Sequence, residues 1–98
     1  MRQPDFRYIK TQMVRKKQWT LKWRRYPGAV GACDDASEKA KMMWICPDQS
    51  SEQLLATVIH ENAHAALPDI DEDVIAHYEQ ATMRLLRRMG LVVAFRGK

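Results

Sequence analysis

Ser50-Ser51-Glu52-Gln53-Leu54-Leu55-Ala56-Thr57-Val58-Ile59-His60-Glu61-Asn62-Ala63-His64-Ala65-Ala66-Leu67-Pro68 is the stretch that decides how this 98-residue chain is read. Asp48, Ser50 and Ser51 can cap a helix, and Ser50 with Gln53 three residues on has the spacing of a capping box. Leu54, Leu55, Val58 and Ile59 then recur at helical spacing. Pro68 ends the run, because proline disfavours helix at the residue before it. A helix therefore carries His60, Glu61 and His64.

Four residues apart on a helix, the two imidazoles leave the same face about one turn apart. Both rings can then reach one metal ion at ~2.0–2.1 Å. Glu61 points roughly 100° further round, where it can reach a water on the metal without being a ligand. In that arrangement the metal lowers the water's pKa and the glutamate takes its proton. The bland alternative is a pair of surface or core histidines. A capped amphipathic helix, and acidic residues directly after it, favour the metal.

A catalytic zinc needs a third protein ligand. Asp69-Ile70-Asp71 reads as a tight connection whose aspartates cap a second helix, from about 72 to 89. Glu72, eight residues after His64 and in that helix's first turn, would complete a His₂Glu set. His77 is the rival, and Asp71 and Asp73 are weaker candidates. The helix dipole alone favours an acidic residue where Glu72 stands, and His77 equally suits a partly buried helix flank. His77 or Tyr78 could also steady a ligand or the transition state.

Residues 55–81 look like the active-site half of small HExxH proteins of phages and bacteria. They are similar to the ImmA/IrrE-type zinc metallopeptidase domains, in which HExxH is followed by a short helix bearing Glu and then Ala. The matching positions are His60, Glu61 and His64, then Glu72 and Ala76. The resemblance implies one zinc on His60, His64 and Glu72, with Glu61 as general base. It covers under a third of the chain, and the spacer before Glu72 is shorter than in those domains. SprT-type proteases, a second resemblance, use a later histidine and so would promote His77.

Residues 18–26 alternate Trp19, Leu21 and Trp23 with polar neighbours, which predicts a strand with one apolar face. Residues 6–14 show a weaker version, Pro27-Gly28 signals a turn, 31–41 reads as a loop, and 41–46 as a second strand. In zincin peptidases an extended substrate adds to a sheet edge, and 41–46 is the natural candidate for that edge, with an internal strand as the alternative. The second helix carries two apolar stripes, Val74, Tyr78, Ala81 and Leu85 on one and Ile75, Met83 and Leu86 on the other. Each should have a neighbour to pack on. Gly90 ends the helix, and 91–95 could be a strand or a docked tail. The expected fold is α+β, one domain over 1–98, with strands and loops in 1–47 and helices in 48–98. A small antiparallel sheet packs on the metal helix and the ligand helix that follows.

Charge is segregated. Residues 1–32 carry nine Lys/Arg against Asp5 alone (+8), 33–79 carry two against eleven acidic residues (−9), and 80–98 carry five (+5). Arg15, Lys16, Lys17, Lys22, Arg24 and Arg25, interleaved with Trp19, Trp23 and Tyr26, could contact nucleic-acid phosphates and stack on bases. The alternative is the solvated face of a strand. Cys33 and Cys46 have no metal or redox spacing and read as reduced core residues, with a disulfide as second choice. No apolar run suits a signal peptide or a membrane span, so a soluble, cytoplasmic protein is expected. The leading function is zinc-dependent hydrolysis of a peptide or protein. The alternatives are a zinc-binding interaction protein without catalysis, such as a phage-encoded inhibitor of a host factor, and a nucleic-acid-associated protein.

Overall fold

The computed structural model describes residues 6–34 and 39–91. Four strands, β1 (Thr11–Val14), β2 (Lys17–Lys22), β3 (Gly31–Cys33) and β4 (Met42–Ile45), precede two helices, α1 (Ser51–Ala66) and α2 (Glu72–Arg88). The fold is α+β, as the chain's patterning predicts.

β1 and β2 form a hairpin with Thr11 opposite Thr20 and Val14 opposite Lys17. Its two-residue loop, Arg15-Lys16, has φ of 51° and 66°, the left-handed pair that matches the twist of the flanking strands. Alternation along β2 buries Trp19 and Leu21 against α1. The expected strand over 18–26 stops at Lys22, and the weaker one over 6–14 shrinks to β1. Past β2, Trp23 turns to local partners: its ring lies 4.9 Å from Phe6, and its Nε1 donates to the Ile9 carbonyl at 2.7 Å. At Pro27-Gly28 the chain reverses, with Gly28 at φ 81° and a bridge between Tyr26 and Ala29.

Two expectations about the sheet are corrected. The first is that it is wholly antiparallel: the strand order is β1-β2-β4-β3, and β2 and β4 run parallel. The connection between them contains β3, long enough for the crossover a parallel pair requires. Because β3 pairs antiparallel with β4 from outside, β4 is internal and is not the free edge. The second is that 31–41 is all loop: its first three residues form β3. A three-residue strand beginning with glycine has no readable alternation. It exists because Cys46 donates to the Val30 carbonyl and Asp34 to that of Met42.

Trp19, Leu21, Met43 and Ile45 from the sheet meet Leu54 and Ala65 from α1 in the core. The helix is capped by Ser50, whose hydroxyl accepts from the Gln53 amide at 3.2 Å, and ends at Leu67 before Pro68. It crosses the sheet. Its middle faces β3, and its end faces the hairpin, where Gln12 bonds Asn62 and Arg15 donates to the Ala66 carbonyl. Gly31 is required by the crossing, since a Cβ there would stand 2.6 Å from Thr57 Cγ2 and 2.9 Å from Glu61 Oε2.

α2 packs back on α1 and buries Ile75 and Met83. Arg87 pairs with Glu52 across the two helices. Gly90 donates to Arg87 and Leu91 to Leu86, the paired bonds of a Schellman stop, with Gly90 at φ 80°. Only one of the two apolar stripes of α2 is covered within the described residues; Val74, Tyr78 and Leu85 on the other are each more than half exposed. The possible terminal strand over 91–95 lies outside the described residues from 92 onward. Among the described residues no helix is long and apolar enough to cross a membrane.

Candidate metal centre

The turn from Leu67 to Asp71 folds α2 back so that Glu72, in its first turn, faces the last turns of α1. Nε2 of His60 and Nε2 of His64 lie 3.2 Å apart. The Glu72 carboxylate bridges them, Oε2 at 2.9 Å from His60 and Oε1 at 2.7 Å from His64. Three donors from two helices thus converge on one point, and they form a group able to hold a metal ion.

Their geometry can be tested against what an ion needs. Donors at ~2.0–2.1 Å around a tetrahedral centre lie about 3.3 Å apart. The two imidazole nitrogens already stand at that spacing. The carboxylate oxygens are closer and would move outward by about half an ångström to admit an ion of this size. Glu72 has room for this, because its side chain is 67% exposed. Two imidazoles and one carboxylate are a donor set for a divalent transition-metal ion.

A further carboxylate fixes His60. Its Nδ1 donates to Oε1 of Glu79 at 2.9 Å. With the proton held on Nδ1, the neutral ring keeps a lone pair on Nε2, the atom that faces His64 and Glu72. Sequence reasoning missed Glu79. The signal was present: seven residues after Glu72, it falls on the same face of α2 two turns on.

Glu61 is 6% exposed. Burial pushes its carboxyl up to about 7, with the charges of Glu72 and Glu79 adding to the rise and His60 opposing it. It lines a cleft of about 530 Å³ with His60, His64, Glu72, Cys33 and Asp34. An adjoining cleft of about 600 Å³ shares Gly31, His60 and Glu61 and runs along Gly28 to Val30. Together they form a groove with β3 as one wall and α1 as the other. A similar cleft between Gln53 and Arg87 contains no histidine.

The remaining candidates lie elsewhere. His77 is exposed and outside the group, about 140° round α2 from Glu72. Tyr78 is 54% exposed, and Asp71 and Asp73 are also exposed and outside the group. Cys33 and Cys46 are both free thiols. That of Cys33 is pushed up to about 12 by burial and then by Glu61 and Asp34. Arg15, Lys16 and Lys17 sit at the hairpin turn, whereas Lys22, Arg24 and Arg25 lie at the other end of β2. The basic residues therefore form two separate groups; Trp19 between them is 1% exposed, whereas Tyr26 beside Arg24 and Arg25 is 40% exposed.

No protein-family model matches the chain, and the searches of curated proteins and of solved structures likewise return no match.

Proposed function

We propose that this protein is a zinc-dependent metallopeptidase acting on an extended peptide. The observation that carries the reading is the convergence of His60 Nε2, His64 Nε2 and the Glu72 carboxylate, with the Glu61 carboxyl buried beside them. Zinc, when bound, supplies a Lewis acid that makes water a nucleophile near neutral pH and polarises a carbonyl. The chain's own residues do the rest. Glu79 holds His60 in the tautomer that offers Nε2. Glu61, with its proton affinity near neutrality, accepts a proton from the attacking water and returns it to the leaving amine.

The groove along β3 supports a peptide as substrate. Val30 and Asp34 bond to β4, so the main-chain groups of Gly31 and Cys33 point away from the sheet. An extended chain can add there as a further strand, crossing above Glu61 and His60. The edge strand for substrate is thus β3, not the 41–46 segment. Two free cysteines are in keeping with a reducing, intracellular setting.

Metal analysis on protein purified without added zinc tests the centre: one ion per chain is expected, lost in His60→Ala and His64→Ala. Retention of the ion in the double variant would sink the site. Catalysis is tested by Glu61→Gln, which should keep the ion and lose on the order of 10²–10⁴ in peptide hydrolysis. Equal turnover by that variant would leave a zinc protein that is not this peptidase.

A further inference from the structure

The outer stripe of α2 has no partner among the described residues, and its spacing is specific. Asp71, Val74, Tyr78, Ala81, Leu85 and Arg88 follow one another at steps of three, four, three, four and three. That is the 3.5-residue repeat of a helix–helix seam. Val74, Tyr78 and Leu85 are 51%, 54% and 55% exposed, and Ala81 is exposed too. The stripe points about 130° away from the face that carries Ile75, Glu79 and Met83, so covering it leaves the metal centre open.

We propose that this face pairs with the same face of a second copy, the two α2 helices running antiparallel about a two-fold axis. The seam is self-complementary in one register. Setting Val74 of one copy against Leu85 of the other sets Tyr78 against Ala81, a large side chain over a small one. The same register sets Asp71 against Arg88 at both ends. Parallel pairing would instead oppose aspartate to aspartate and arginine to arginine. Asp71 is the N-cap residue of α2, yet its side chain makes no capping bond, and neither it nor Arg88 has a side-chain partner among the described residues. Asp73 lies within a turn of Arg84 of the other copy on the same rim. Charge complementarity and size complementarity therefore select a second copy over an unrelated apolar partner, and a two-fold axis satisfies both ends at once.

A seam of four apolar layers covers less than the ~800 Å² per partner of a standard interface, so the pairing is reversible, with Kd on the order of 10–100 µM. Sedimentation velocity across that range should show the mass rising from one 11.4 kDa chain towards two. Leu85→Glu and Tyr78→Glu, both at exposed positions, should keep the circular dichroism spectrum and remain single chains at every concentration. Mixing Val74→Cys with Leu85→Cys protein under mild oxidation should give the mixed disulfide in excess over either like pair. A single chain at all concentrations would overturn the proposal, as would a dimer indifferent to Leu85→Glu. Like-pair disulfides in excess would overturn the antiparallel register. None of these readouts involves zinc or hydrolysis, so the outcome is independent of the peptidase reading.

Discussion

Glu79 and Glu61 differ in how their carboxylates meet His60, and each difference has a measurable consequence. Glu79 orients the ring, and loss of such a carboxylate lowers metal affinity by roughly 10–100-fold. Glu79→Gln, which keeps the shape but weakens the acceptor, should shift a competitive zinc titration by that amount and leave the stoichiometry at one. An unchanged affinity would show that the Nδ1 contact does not tune the site. Glu61 makes stability depend on pH. Its folded carboxyl is raised from 4.5 to about 7, so in the metal-free protein the native state binds more protons than the unfolded state between those values. Stability contributed by the protonated form is therefore fully present below pH 4.5 and is lost as pH rises through 7. The loss is on the order of 3 kcal/mol. Glu61→Gln should flatten that slope relative to the parent protein in urea denaturation with chelator present. Parallel pH profiles for the two proteins would refute the assignment.

Among the elements, the β1–β2 hairpin carries a local conflict between sequence and shape. Arg15 and Lys16 occupy left-handed backbone that glycine and asparagine adopt more easily. Arg15 has a compensating role, since its guanidinium donates to the carbonyl of Ala66 at the end of α1, where the helix dipole favours a cation. Lys16 makes no such bond among the described residues. Lys16→Gly should stabilise the fold by roughly 0.5–1 kcal/mol, because relief of strain exceeds the entropy that glycine adds to the unfolded chain. A lower melting temperature would show that Lys16 is held by something the turn geometry does not reveal. The helices show the opposite case, agreement of local signal and structure. Ser50, Pro68 and Gly90 punctuate α1 and α2 where residue chemistry predicts. The strands were less legible: the 18–26 pattern overran β2, and β3 left no pattern at all.

Over the whole molecule, the candidate ligands are divided between α1 and α2, whereas the core lies between α1 and the sheet. Apart from Ile75 and Met83, α2 is tied to α1 by polar pairs: Glu79 and Glu72 with the two histidines, and Arg87 with Glu52, an exposed contact of small value. An ion shared by His60, His64 and Glu72 would clamp the second helix to the first. Zinc at about 1,000 times its Kd should therefore stabilise the protein by about 4 kcal/mol. It should also slow amide exchange along α2 more than along β2. Equal protection of both elements would mean that zinc stabilises the molecule as one unit, without a specific clamp between helices.

The sequence alone determined both helices, the His60/His64 pair and the nomination of Glu72, because helical spacing and capping are local and act within a few residues. His77 stayed open as a rival, since a one-dimensional chain cannot say which way a second helix rolls on the first. Tertiary structure decided that roll, and with it the convergence of Glu72 and Glu79 on the histidines. It also decided the strand order, the edge position of β3 and the need for Gly31 beneath Glu61. Those depend on segments that meet across long stretches of chain, where packing rather than local propensity sets the outcome.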